Sequence, residues 1–186
     1  MTGAAELIGE LGWGRVTTRA VAERAGTPHG AVSYHFHGKQ ELLVESALHA
    51  FAAALPADAF VALDSIADLL ALIRAELAGP HAIDPVLSRL MLETMREAER
   101  DPMLRERMGT MLRDYRAMIT DLVRTEQQRG GLPARLPADG VATLLGAVGD
   151  GLLLHALLDP DLDIGAALDA LRDLLTPPGK TRSRKS

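Results

Sequence analysis

Along almost the whole chain apolar residues recur at intervals of three and four, and nowhere do apolar and polar positions alternate over the length of a strand. The pattern predicts an all-α fold of about nine helices. A first helix near Ala4–Leu11 gathers Ala4, Leu7, Ile8 and Leu11 on one face and stops at Gly12. Thr17 is placed to cap a second helix, which buries Val21, Ala22 and Ala25 before Gly26 breaks it. Thr27 is expected to cap a third, with Pro28 in the first helical position, where the missing N–H costs nothing. That helix runs to about Phe36. His37-Gly38 separates it from a fourth, which buries Leu42, Leu43, Ala47, Ala50 and Phe51 and ends by Pro56.

Further amphipathic helices are predicted near Phe60–Ala78, Asp84–Arg100 and Pro102–Arg129, the last carrying Leu104, Met108, Met111, Leu112, Tyr115, Ile119 and Leu122 on one side. The segment Gly140–Leu158 differs, being apolar on nearly every face. Its length would cross a membrane, but a central Asp150, the four glycines 140, 146, 149 and 151, and prolines 137 and 160 at its ends favour a helix buried between its own domain and a partner subunit. A last helix near Ile164–Leu175 would join it there. Asp159, Asp161 and Asp163 alternate like the start of a calcium loop, but Ile164 stands where that loop needs glycine, so a helix-capping turn is the better reading.

Two short helices joined at Ala25-Gly26-Thr27 have the form of a helix-turn-helix, whose second helix enters the major groove of DNA. Small and polar side chains at Thr27, His29, Ala31 and Ser33 permit close approach to base edges, while Tyr34, His35 and Lys39 can reach phosphates. Charge supports this locally but not globally. The 186 residues carry a formal charge of −5, too acidic for a protein that holds nucleic acid by bulk attraction. Between Arg15 and Lys39, however, Arg15, Arg19, Arg24 and Lys39 face only Glu23. A second basic run, Lys180, Arg182, Arg184 and Lys185, follows Pro177-Pro178-Gly179 and reads as a solvated tail. With no cysteine, thiolate metal sites, disulfides and cysteine nucleophiles are excluded, and a reducing cytoplasm fits.

The run Thr17-Thr18-Arg19-Ala20-Val21-Ala22-Glu23-Arg24-Ala25-Gly26-Thr27, followed by Gly30-Ala31-Val32-Ser33-Tyr34-His35-Phe36 and Lys39-Gln40-Glu41-Leu42-Leu43, resembles the DNA-binding domain of TetR-family regulators over roughly residues 4–45. The resemblance implies a helix-turn-helix domain over 1–45, a helical effector-binding and dimerisation domain over 46–176, and a disordered basic tail over 177–186. By the same likeness Thr17, Thr18, Arg19, Tyr34, His35 and Lys39 would hold phosphates, and Thr27, Pro28, His29, Ala31 and Ser33 would face bases. The implied partners are a palindromic double-stranded operator, a second copy of the chain and a small-molecule effector. No cofactor, metal or membrane is expected.

Six of the seven methionines fall between positions 91 and 118. Methionine is flexible and polarizable and lines adaptable pockets as well as cores. Met91, Met95, Met111, Tyr115 and Met118, with Asp150, are therefore candidate effector contacts. Two alternatives remain open: a helical DNA-binding protein without an effector, and an all-helical enzyme. The second lacks a converging nucleophile and base, paired carboxylates or an HExxH pattern, so the chain is expected not to be an enzyme.

Overall fold

The computed structural model describes residues 1–78 and 84–175, with the side chains of His29 and Ser33 left aside. The expected basic tail thus lies outside the described residues. Ten α-helices and one 3-10 turn are described: α1 Thr2–Leu11, the 3-10 turn Trp13–Arg15, α2 Thr18–Arg24, α3 His29–His35, α4 Lys39–Ala54, α5 Ala57–Val61, α6 Ile66–Ala78, α7 Pro85–Ala98, α8 Pro102–Gln128, α9 Ala138–Leu158 and α10 Ile164–Leu175. No strand occurs among the described residues.

Two departures from the sequence reading have local causes. Thr27 does not cap α3: Pro28 takes the N-cap position, and the N–H of Thr27 instead donates to the Ala22 carbonyl at 3.0 Å. With Gly26 at φ 61° and its N–H on the Glu23 carbonyl at 3.2 Å, this closes the end of α2 as a Schellman turn. The same pair of bonds ends α8, where Gly130 (φ 73°) and Gly131 donate to Gln127 and Glu126 at 3.1 and 2.8 Å. The helix expected over Phe60–Ala78 is in fact split into α5 and α6. The Asp68 carboxylate accepts from the Asp64 N–H and the Ser65 hydroxyl, while the Ser65 hydroxyl accepts from the Asp68 N–H. That reciprocal cap starts a new helix after Ser65.

The chain packs as two units. One comprises residues 1–57 and 84–112, the other the described parts of 58–83 and 113–186. The first draws α7 and the opening of α8 onto the N-terminal helices, which no short-range pattern in the sequence announces. Its core unites Ile8, Trp13, Val16, Val21, Leu42, Leu43, Leu90 and Leu104. The second is built on Leu69, Leu70, Val123, Ala142, Leu145 and Leu168. In it α6 packs against both α9 and α10, Asp163 caps α10 by accepting from the Ala166 N–H at 2.8 Å, and Arg74 reaches Asp169 at 2.7 Å.

The packing of α1 on α7 is close enough to demand glycine. A Cβ at Gly9 would lie 2.7 Å from the Val86 carbonyl oxygen, a backbone atom that cannot rotate away. We expect Gly9→Val to lower unfolding free energy by about 2 kcal/mol through overpacking. Urea denaturation followed by circular dichroism checks this, and an unchanged midpoint would contradict the close approach.

Candidate nucleic-acid interface

The two helices of the motif are each seven residues long, too short to persist alone, so their geometry is imposed by caps and by burial. Thr17 opens α2, its hydroxyl oxygen accepting from the Ala20 N–H at 3.1 Å while its own proton stays free to donate. Val21 and Ala22 anchor α2 in the core, Val32 anchors α3, and Phe36 packs against the same cluster. Anchored this way, α3 turns Tyr34 outward at 86% exposure, with the His35 ring edge-on to it at 5.3 Å. Thr17, Arg19, Thr27, Pro28 and His35 are likewise exposed, whereas Thr18, Ala31 and Lys39 are half-buried. The side chains of His29 and Ser33 are not among those described. The residues expected to read DNA lie on α2 and its N-cap, on α3, on the turn between them and at the first position of α4.

Charge in the unit is more selective than residue counting implies. Arg24 is held by Glu10 at 2.7 Å and Glu6 at 3.1 Å, both on α1. These bonds raise its pKa and keep the Glu10 carboxyl below its ordinary range. One of the four basic groups is therefore neutralised in place. Lys39 donates to the Gly14 carbonyl at 2.9 Å, fastening the start of α4 to the 3-10 turn and leaving two further donors. Glu41 caps α4 by accepting from the His37 N–H at 2.6 Å and facing its ring nitrogen at 3.0 Å, and these bonds hold its carboxyl low.

Sequence reading missed a second layer behind this face. The Trp13 indole N–H, buried at 3% exposure, donates to the Gln40 side-chain oxygen at 3.0 Å. The amide nitrogen of Gln40 donates to Asp101 at 2.7 Å and Glu97 at 3.3 Å. Only pairing in the folded chain, across 27 to 61 residues, reveals these groups. A glutamine after a lysine carries no such signal. Asp101 also caps α8, accepting from the Met103 and Leu104 N–H groups at 2.9 and 3.1 Å.

The six candidate effector residues divide between the units: Met91, Met95 and Met111 in the first, Tyr115, Met118 and Asp150 in the second. Met95 is exposed. A cleft of about 470 Å³ in the first unit is lined by Leu11, Gly12, Arg15, Arg89, Leu92 and Arg96 among others, and by none of the six. In the second unit Tyr115 stacks at a tilt on Phe60, ring centres 5.1 Å apart, and burial pushes its hydroxyl pKa up. Asp150 is exposed, although partial loss of hydration pushes its carboxyl up as well.

Two family models divide the chain between them. Residues 1–45 match the tetR family of bacterial regulatory proteins, and residues 65–176 match the C-terminal domain of BetI-type transcriptional repressors. The chain belongs to the tetR family. Its helix-turn-helix is therefore the DNA-binding module of a transcription regulator. No curated protein matches this regulator by sequence. Solved structures share its fold. A transcriptional regulator from Saccharomonospora viridis in complex with choline is 25% identical, with 93% of this chain and 89% of that one covered and a TM-score of 0.67. A regulator from Pseudomonas aeruginosa PAO1 is 22% identical, with 92% and 87% covered and a TM-score of 0.75. A TetR regulator from Haloarcula marismortui is 20% identical, with 94% and 92% covered and a TM-score of 0.75.

The carboxylates behind the tetR-family helix-turn-helix give its stability a pH dependence. Asp101 is held below its ordinary range, first by the Gln40 amide and then by the α8 N–H groups. A carboxyl with a depressed folded pKa stabilises above its unfolded pKa of about 4 and loses that contribution as pH falls through the folded value. Asp101→Asn should therefore lower the urea midpoint at pH 7, by an amount that shrinks progressively as pH falls below about 4. A loss that stays constant across that range would remove the ionised carboxylate from the account.

Proposed function

We propose that this regulator is a homodimeric repressor that grips a palindromic operator through α3 of each copy and releases it when a small molecule enters the helical domain. The observation that carries the reading is the exposed face of α2–α3, with Tyr34 standing free and Arg19 making no ion pair among the described residues. Thr17, Thr18, Arg19, Tyr34, His35 and Lys39 contact phosphates, and Thr27, Pro28, His29, Ala31 and Ser33 face bases. Phosphate contacts set register and orientation, and contacts to base edges select sequence.

The dimer reading rests on α9 and α10. Only 11% of the most apolar window of α9 is buried within the chain. Leu144, Leu154 and Leu158 of α9 and Leu174 of α10 stand exposed, Leu158 at 80%, and a Cβ at Gly146 or Gly151 would meet nothing within 4 Å. A face of this kind is stable in water once a second copy covers it, and bare glycine positions allow two helices to approach closely. Dimer symmetry then fixes the spacing of the two half-sites.

For the effector, Tyr115, Met118 and Asp150 with Phe60 supply aromatic faces, a polarizable thioether and a carboxylate without a cationic partner among the described residues. That chemistry suits a small organic cation carrying apolar groups. Choline, present in the Saccharomonospora viridis regulator, is one. A ligand shifts the equilibrium only as far as its affinities for the two conformations differ.

Selection of bound sequences from random duplexes should enrich a palindrome. Against it Arg19→Ala should weaken binding on all sequences and flatten the logarithmic salt dependence by about one. No enrichment from folded protein would overturn the DNA reading. Choline added to the chain should raise its melting temperature, with the shift abolished in Tyr115→Ala. No shift at millimolar choline would exclude that cation as effector.

A further inference from the structure

Gln40 occupies a position that neither the DNA face nor the effector region explains. Its side chain closes a circuit of hydrogen bonds through four elements. The indole of Trp13, on the 3-10 turn, donates to its oxygen at 3.0 Å. Its nitrogen donates to Asp101 at the start of α8 and to Glu97 near the end of α7. The Trp13 backbone N–H returns to α7 by donating to Glu93 at 3.1 Å. The amide orientation is unambiguous, because an indole N–H can only donate and ionised carboxylates only accept. Glutamine alone among the amide-bearing or acidic residues meets both demands at this length. Glutamate would offer two acceptors to two carboxylates, and leucine would leave the indole proton without an acceptor.

Immediately beside it, Lys39 ties the first position of α4 to Gly14 at 2.9 Å, and Asp101 spends its second oxygen on the first turn of α8. The α7–α8 corner, the start of α4 and the turn leading into α2 thus share one polar knot inside a single packing unit. Another link follows along α4, where Glu45 meets the Arg107 guanidinium of α8.

We propose that Gln40 is a positioning residue for DNA binding: by joining Trp13 to Asp101 and Glu97 it holds Lys39 and the Thr17 end of α2 in the arrangement that meets the DNA backbone. A displacement of the α7–α8 corner breaks or strains the Gln40 bonds before it disturbs the apolar core, since hydrogen bonds weaken steeply with distance and angle while burial does not. Operator affinity is then set in part by a residue that never touches DNA. The functional half of this inference rests on the DNA reading above; its structural half stands apart from it.

The test uses the full chain with Gln40→Leu, Gln40→Glu and the exchange of donor and acceptor Gln40→Glu/Asp101→Asn. Hydrogen exchange is measured at the Trp13 indole and at the amides of residues 13–17 and 39–43. Gln40→Leu and Gln40→Glu should accelerate exchange there about tenfold, leaving α1 and α7 protected, and the double variant should recover most of the protection. Acceleration spread evenly over α1 and α7, or none at residues 13–17, would overturn the proposal. On the duplex enriched by selection, Gln40→Leu should bind about tenfold more weakly, and the double variant more tightly than Gln40→Glu alone. Wild-type affinity in Gln40→Leu would refute positioning even where the exchange result holds. A wild-type chain that enriches no duplex removes the functional half together with the DNA reading, while the exchange data then decide the structural half alone.

Discussion

Helices of seven residues do not persist in water, because nucleation costs more than so few intrahelical bonds return. The DNA-reading surface of this protein consists of two such helices, α2 and α3, and every feature of it depends on apolar burial supplied by longer neighbours. Val21, Ala22, Val32 and Phe36 seat them in the shared core, and the Arg24 pairs with Glu6 and Glu10 add a polar tie from α2 to α1. The reading surface is therefore no stiffer than the scaffold behind it. Glycine at position 9 lets α1 meet the backbone of α7, and the polar knot around Gln40 takes hold of Trp13, itself a member of the core.

The helices themselves were largely legible from apolar spacing, since the 3.6-residue period is written into each amphipathic segment. Boundaries were less so where a side chain had two possible uses. Thr27 could cap a helix or close the previous one, and the Schellman geometry of Gly26 decides for the second. Ser65 and Asp68 form a cap recognisable in principle, but one overlooked inside an apolar stretch. The helix-turn-helix could be read from sequence because its residues, neighbours in space, are also neighbours in the chain. The Trp13–Gln40–Asp101 bonds could not, because their partners are brought together only by the packing of α7 and α8 onto the N-terminal helices. The methionine grouping spans both units, because α8 contributes its first residues to one unit and the rest to the other.

Electrostatics separates two kinds of arginine in the same short window. Arg24 spends its charge on Glu6 and Glu10 and serves the fold, whereas Arg19 keeps its charge exposed to solvent. Exposed pairs such as those of Arg24 add little stability each. Their effect on charge is to remove Arg24 from the positive groups the window presents to solvent.

The chain has one tryptophan, and it is the residue whose indole is sealed from solvent and bonded to Gln40. Emission from that single ring reports on the polar environment of one defined place, with no other indole to dilute it. The protein thus carries its own optical probe where the helix-turn-helix meets α7 and α8, and loosening that junction would shift the ultraviolet emission of unlabelled protein.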